Sequence, residues 1–271
     1  MPGDGPPSPR HAPSCSDVQE SVDKLVRSLK RGRGRRDLLD LAVRLGNCTP
    51  EKQCGSGACP RCVQAALADA TEAIARIPRR PVPPAVVPIM LTVTIQSMCV
   101  PVGALHKFDL PNALRRLKRA FTSAGLSWCV GALDLSLNEH QGGAYPPYWA
   151  VHVHAFGMEQ DPAQTGTALR RVIRPSAIVM RPVMVKRWDG AERAVSYSFK
   201  THFGRRIACD DMLRFKRGGH GVRLCRTTKT ARLRAAELHE LLLFLDRIGP
   251  KGRLFQYNAF VRDKKLHAAS N

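Results

Sequence analysis

With 271 residues, of which 44% are hydrophobic, the chain is long enough to bury the core of one or two folded domains. Its 43 Lys and Arg outnumber 22 Asp and Glu, and the net charge of +21 predicts a polyanionic partner, with nucleic acid first and an anionic membrane surface second. No apolar run approaches the length of a membrane span and no signal-peptide core follows Met1, so we expect an intracellular protein.

Residues 1–36 are predicted to form an N-terminal arm that is disordered at its start and basic at its end. Inside this arm, apolar residues from Ser16 to Leu29 have the spacing of a helix. The basic run 30–36 is either a solvated linker or an arm that contacts phosphates. The candidate DNA-binding residues of this run are Arg33, Arg35 and Arg36.

Residues 37–80 are predicted to form a helical, cysteine-rich module that binds zinc. Helices are expected at 37–45 and 63–77, and four cysteines lie between them: Cys48, Cys54, Cys59 and Cys62. Four thiolates suit a tetrahedral Zn²⁺ site, which would hold loops too short to build a core of their own. Unliganded thiols are the alternative, because the first two spacings differ from those of common zinc fingers.

The segment 84–205 follows a proline-rich linker and alternates predicted strands and helices. Strands are expected at 89–97, 131–138, 149–156 and 177–185, and helices at 110–124, 162–173 and from 189 onward. This order predicts an α+β fold with a split βαββαβ antiparallel sheet, whose first and third strands are central. Pro182 agrees with an edge position for the fourth strand, because proline cannot donate to a ladder.

Polar residues are predicted to gather on one face of this sheet. His152 and His154 are separated by one residue on the third strand, so both side chains point the same way. Alternation on the second strand places Asp134 on the same face, while apolar residues face the two helices. We therefore predict a divalent-metal site on a sheet face that the helices leave open. Ordinary strand histidines are the alternative.

The helix after the fourth strand carries a Tyr-x-x-Lys sequence, in which Tyr197 and Lys200 are about one helical turn apart. A tyrosine can act as a covalent nucleophile, and a nearby cation can stabilise its phenolate. A metal site followed by this tyrosine, in a basic chain, suggests nucleophilic cleavage of DNA. A core tyrosine and an exposed lysine are the alternatives.

Residues 206–271 are predicted to be a basic C-terminal region. The chain is expected to be irregular after Arg205 and then to form an amphipathic helix over 231–248. Lys216 and Arg217 lie in the basic irregular stretch and are candidates for contacts with DNA phosphates.

Residues 45–205 resemble the HUH nucleases, and most closely the rolling-circle replication initiator (Rep) proteins of small plasmids. The shared marks are Leu91-Thr92-Val93-Thr94, Asp134, His152-Val153-His154, the Tyr197–Lys200 motif and the preceding Cys-Pro-x-Cys. The chain departs from the family at two positions. The family usually has Glu where Asp134 stands, and many members have an acidic residue where this chain has Arg193.

The resemblance implies metal-dependent, site-specific nicking of origin DNA. Tyr197 would form a 5′-phosphotyrosine and release a 3′-hydroxyl primer, assisted by Lys200. His152, His154 and Asp134 would bind Mn²⁺ or Mg²⁺. The implied partners are single-stranded or hairpin origin DNA and a host helicase and polymerase in the bacterial cytoplasm, with no membrane. An HUH-type transposase or relaxase would share this chemistry, and a non-catalytic zinc-containing nucleic-acid-binding protein is the alternative of another class.

Overall fold

The computed structural model describes residues 15–32, 34–79, 85–200, 203–214 and 222–268. The helices are α1 (Cys15–Lys30), α2 (Arg36–Gly46), α3 (Pro60–Ala75), α4 (Leu110–Ser123), α5 (Pro162–Val172), α6 (Glu192–Ser198) and α7 (Ala235–Ile248). The strands are β1 (Val87–Val93), β2 (Cys99–Pro101), β3 (Cys129–His140), β4 (Tyr148–Glu159), β5 (Val183–Arg187), β6 (Gly204–Arg214), β7 (Val222–Arg232), β8 (Leu254–Tyr257), β9 (Ala259–Arg262) and β10 (Lys265–Ala268). Within these ranges, no helix has the length and apolar character that crossing a membrane requires.

The main sheet is mixed, and the fold class is α+β. Its strands follow the order β5-β1-β4-β3-β6-β7, while β2 pairs with β4 and β8 pairs with β3. The first four strands of this path pair antiparallel, with β1 and β4 at the centre and β5 at the edge. This is the strand order that the sequence predicts for a split βαββαβ unit.

The edge strand begins later than predicted. We expected a strand over 177–185 that contains Pro182, but β5 starts at Val183 and runs to Arg187. Pro182 lies immediately before it, and its carbonyl oxygen accepts a hydrogen bond from the Thr94 amide. A proline can still accept through its carbonyl, so it fits the entry to an edge strand, where no ladder donor is needed.

The prediction of an irregular chain after Arg205 is wrong. β6 pairs in parallel with the end of β3 and antiparallel with β7, so the sheet is not purely antiparallel. The described side chains of 204–210 and 227–232 are mostly exposed or half-buried. A strand whose two faces are both exposed to water does not alternate between apolar and polar residues, so its sequence does not indicate a strand. α7 starts at Ala235 and not at 231, because β7 extends to Arg232.

One large core lies on the face of the sheet under α4 and α5. Leu117 and Phe121 of α4 pack with Leu91, Leu133 and Val153 of the strands, as the alternation predicts. The same core includes buried residues of α1, α2, α7 and the cysteine module. The predicted N-terminal arm therefore contains a helix, α1, that starts at residue 15. Residues 1–14, which are predicted to be disordered, lie outside the described part of the chain.

The opposite face of the sheet is covered at one end, so the prediction of an open face is wrong in part. A smaller cluster there joins Ile74 of α3, Val195 of α6 and Leu266 of β10 to two sheet residues, Phe156 and Met158. Alternation along β4 places His152 and His154 on this same face. The face therefore has an apolar half under these distant segments and a polar half that contains the histidines.

Candidate functional site

Asp134, His152 and His154 converge on the polar half of this face. Asp134 of β3 is directly opposite His152 of β4 in the ladder, and His154 is two residues further along β4. Gly131 permits the close approach of the two strands, because a Cβ there would clash with the carbonyl oxygen of His154. One ligand atom from each of the three residues lies within 4.8 Å of the others, so the group can hold a metal ion.

Hydrogen bonds within β4 and to its neighbours β3 and β1 orient the two imidazoles. His152 Nδ1 donates to the carbonyl oxygen of Ala150 at 3.2 Å, and its Nε2 lies 3.1 Å from Asp134 Oδ2. His154 Nδ1 is 2.8 Å from Thr92 Oγ1 of β1. Its Nε2 is buried and makes no hydrogen bond among the described residues, and Asp134 Oδ2 lies 3.6 Å from it. A buried ring nitrogen that makes no hydrogen bond destabilises the fold. Proteins that bind a metal through a histidine commonly fix the ring by a hydrogen bond to its other nitrogen.

The charge state of the group suits a cation. Asp134 is 0% exposed, and burial alone would raise its pKa. The hydrogen bond from His152, together with nearby His154 and Lys200, outweighs burial and lowers that pKa well below its usual range. Burial lowers the pKa of His154, which favours the neutral imidazole that binds metals. The group therefore offers a metal ion a carboxylate and a neutral ring nitrogen, both buried away from water.

The end of α6 brings Tyr197 and Lys200 to this group. The Tyr197 and His154 ring centroids are 5.5 Å apart, and Tyr197 is 55% exposed. Lys200 Nζ lies 2.6 Å from Asp134 Oδ2 and 4.3 Å from the Tyr197 ring centroid. α6 ends at Ser198, so Lys200 is not on the helix as predicted but just beyond it. Its amide still donates to the Tyr197 carbonyl oxygen at 3.3 Å.

Arg253 belongs to the site although no sequence motif marks it. It follows α7, is 1% exposed, and donates from Nη2 to the carbonyl oxygen of Lys200 at 2.7 Å. Its guanidinium carbon lies 5.1 Å from the centroid of the Phe203 ring. Burial lowers the pKa of Arg253 to about 10, against the opposing effect of the negative charge on Asp134. Arg253 thus connects the C-terminal part of the chain to the residue that contacts Asp134.

A second group of metal-ligand type is formed by the four predicted cysteines. Sγ of Cys48 lies 3.6 Å from Sγ of Cys59 and of Cys62, and Sγ of Cys54 lies 3.6 Å from that of Cys62. These separations are far longer than the roughly 2.05 Å of a disulfide bond. Burial raises the pKa of Cys54 to about 11 and that of Cys59 further, whereas in Cys48 hydrogen bonds from the Cys54 amide and the other cysteines outweigh burial and lower the pKa. The cluster can hold a metal ion.

Of the predicted DNA-binding residues, the structure describes Arg35 and Arg36, and neither is part of the two groups. Arg35 and Arg36 stand at the start of α2, and the Arg35 guanidinium pairs with Asp37 at 2.6 Å. α2 buries its apolar side in the core beneath the other face of the sheet. The remaining candidates, Arg33, Lys216 and Arg217, lie outside the described residues.

No protein-family model, curated protein or solved structure matches this chain. The chemistry of the site therefore follows from its own residues. The two groups differ in their ligands, with four sulfur atoms in one and two nitrogen atoms and a carboxylate oxygen in the other. Each of the two groups could hold a metal ion.

Proposed function

We propose that the protein is a metal-dependent DNA-nicking enzyme of the HUH type that initiates rolling-circle replication of a plasmid in a bacterial cytoplasm. The observation that carries the proposal is the convergence of Asp134, His152 and His154 beside the exposed ring of Tyr197. A purely structural histidine pair would not require a half-exposed tyrosine and a lysine against it. The strongly basic composition supports DNA as the substrate.

Asp134, His152 and His154 would hold Mn²⁺ or Mg²⁺ in this proposal. Two observations fit a cation there: Nε2 of His154 is buried and makes no hydrogen bond among the described residues, and the pKa of Asp134 is lowered. Two imidazoles and one carboxylate leave open positions for a phosphate oxygen. When bound, such an ion stabilises the negative charge that develops on the phosphate in the transition state.

The residues around the group supply the rest of the chemistry. The Tyr197 hydroxyl would lose its proton and attack phosphorus, and the bond from phosphorus to the 3′ oxygen would break. The products are a 5′-phosphotyrosine and a 3′-hydroxyl once that oxygen takes up a proton. Lys200 Nζ lies 4.3 Å from the centroid of the Tyr197 ring, so its positive charge would be close to the phosphate group that Tyr197 attacks. The exposure of Tyr197 leaves room for a single strand to reach it.

Zinc is our proposal for the four-cysteine cluster. An ion with tetrahedral bonds of about 2.3 Å to sulfur separates its ligands by roughly 3.8 Å, close to the observed spacing of 3.6 Å. Structural zinc sites are closed by four protein ligands, as this one would be. The ion would join the loop 48–59 to the first turn of α3, which begins at Pro60 and carries Cys62.

The deciding experiment is covalent capture with Tyr197→Phe. A randomised pool of single-stranded oligonucleotides is incubated with the protein in Mn²⁺, and denaturant-resistant adducts are isolated and sequenced. We expect Tyr197→Phe to lose the adduct and to nick at least on the order of 10³-fold more slowly, because phenylalanine has no nucleophilic oxygen. Matched controls replace the other tyrosines in the same way, at Tyr145, Tyr148 and Tyr257.

The controls should each retain the adduct. An adduct that persists in Tyr197→Phe, or maps to another tyrosine, would contradict the assignment. A wild-type protein that binds the pool but forms no adduct would favour the non-catalytic nucleic-acid-binding alternative.

Arg253 is a positioning residue in this proposal, and Arg253→Met tests it. Methionine fills similar space but cannot donate to the Lys200 carbonyl oxygen, so we expect kcat to fall about tenfold, the equivalent of one hydrogen bond from a charged group. The KM for the captured oligonucleotide and the melting temperature should change little. The control is Arg262→Met, on an exposed arginine beside Asp263. Equal kcat values for the two variants, or a melting temperature that falls enough to explain the loss, would refute this role.

A further inference from the structure

The outer surface of α4 and α5 is strongly basic. Both helices bury one side against the sheet, through Leu117 and Phe121 in α4 and Leu169 in α5. The exposed cations of α4 lie away from these buried positions. Those of the second helix lie near the end of α5. Together they form what we call the α4–α5 basic surface: Arg115, Arg116, Lys118, Arg119, Arg170, Arg171 and Arg174.

No carboxylate neutralises this surface among the residues that the structure describes. α4 and α5 contain no Asp or Glu. The acids that precede them, Asp109 and Asp161, accept hydrogen bonds from the first amides of each helix. Carboxylates of the neighbouring α7 are also engaged, since Glu240 accepts from the Gly103 amide and Asp246 pairs with Arg44.

The fold alone does not account for the cations of α4. Arg115 and Arg119 are four residues apart, and Arg116 and Arg119 are three apart, so like charges are neighbours on the helix surface. Such pairs destabilise a helix. Arg170 and Arg171 in the last turn of α5 interact favourably with the helix dipole, but the α4 cations lie in mid-helix and gain nothing from it. A bound polyanion would remove this repulsion.

We propose that the α4–α5 basic surface binds the phosphate backbone of double-stranded DNA. The exposed residues of the two helices include no Phe, Tyr or Trp. Proteins that hold unpaired strands stack the bases on such rings, so a single strand is the poorer fit. Cations fixed on two rigid, adjoining helices suit the regular phosphates of a duplex, which can be held without contacts to the bases.

The basic surface and Tyr197 lie on opposite sides of the sheet. On β4, Val151 and Val153 pack in the core under the helices, whereas His152 and His154 point the other way. The protein would therefore hold a duplex on one side while a separated strand reaches the tyrosine on the other. The idea that this duplex flanks the nicking site rests on the proposed function. The binding of a duplex by the α4–α5 basic surface does not.

The test compares two variants with equal loss of charge. One carries Arg115→Gln, Arg116→Gln and Arg119→Gln. The control carries Arg262→Gln, Lys264→Gln and Lys265→Gln, on exposed cations of the β9–β10 hairpin. Binding of a fluorescent duplex of about 30 base pairs is measured by anisotropy between about 50 and 200 mM salt.

We expect the helix variant to bind at least tenfold more weakly at about 150 mM salt, and its slope of log K against log salt to shrink by about three. The hairpin variant should stay within about twofold of wild type. The helix variant should melt at the same or a higher temperature, because like-charge repulsion is removed, so unfolding would not explain its loss of binding.

Equal duplex affinity in the two variants would overturn the proposal. It would also be overturned if the helix variant kept duplex binding and lost binding to phosphatidylglycerol vesicles, which would assign the surface to a membrane. Nicking of a single-stranded oligonucleotide by the helix variant should remain within about twofold of wild type. If Tyr197→Phe still nicks while the helix variant loses duplex binding, the proposed function fails and this inference stands.

Discussion

Replacement of Asp134 by asparagine is expected to slow nicking by about 10³-fold, as removal of a preorganised electrostatic group does in other enzymes. Asparagine keeps the size of the side chain but removes its charge. Oδ2 of Asp134 lies within 3.6 Å of nitrogen atoms of His152, His154 and Lys200, so it is the shared negative centre of the site. Without it, the group would bind Mn²⁺ poorly and Lys200 would lose its counter-charge.

Single-turnover cleavage and Mn²⁺ titration calorimetry would measure the two effects of Asp134→Asn separately. The matched control is Asp210→Asn, because Asp210 also contacts a histidine, His140, at 3.1 Å but is not part of the metal-ligand group. We expect the control to keep its Mn²⁺ affinity and a rate within about twofold of wild type. Unchanged Mn²⁺ affinity in Asp134→Asn would show that the ion binds elsewhere.

The same variant should change how stability depends on pH. The folded-state pKa of Asp134 is lowered, so its carboxylate stabilises the fold above the unfolded value of about 3.9 and loses this contribution as the pH falls towards the folded value. Asp134→Asn should therefore be less stable than wild type near neutral pH, with a difference that shrinks below about pH 4. Melting temperatures measured across this range without added metal test the sign.

Replacement of Cys59 by serine should have the largest effect on stability. Structural zinc contributes about 10–16 kcal/mol in small zinc-binding peptides, whereas whole domains are stable by only about 5–15 kcal/mol. Cys59 is fully buried and belongs to the core that also contains Leu29, Leu41 and Leu245. We therefore expect Cys59→Ser to lose its zinc and to unfold at a much lower temperature, with loss of packing around α1 and α2.

The control for Cys59→Ser is Cys99→Ser, a half-buried thiol that lies outside the cluster. Its melting temperature should fall by only a few degrees, and its zinc content, measured with a colorimetric chelator after denaturation, should equal that of wild type. Wild-type protein that purifies without zinc, or an equal fall in melting temperature for the two variants, would argue for unliganded thiols.

The order of the central strands could be predicted because their side chains alternate cleanly. The apolar series that contains Leu91, Leu133 and Val153 identifies one face, and the polar residues between them then identify the other. The placement of Asp134 opposite His152 follows from this alternation together with the antiparallel pairing. Alternation and the predicted antiparallel pairing were therefore enough, together, to place Asp134, His152 and His154 near one another.

The features that the sequence did not predict depend on contacts between distant segments. The cover over the apolar half of the second face comes from α3, α6 and β10, whose own patterns do not say where they pack. β6 and β7 have no hydrophobic period. The burial of Arg253 arises only when the turn after α7 packs against the chain at Lys200, and a single arginine has no spacing that could signal this.

The position of Arg253 also bears on how much of the chain the proposed nicking site needs. A piece that ended at residue 205 would contain Asp134, His152, His154 and Tyr197. It would lack β8, which extends the sheet beside β3, and the arginine that tethers the peptide behind Lys200. The proposed nicking site therefore depends on residues that are far apart in sequence, and shortening the protein from its C-terminal side would release the segment that carries Tyr197 before it removed Asp134, His152 or His154.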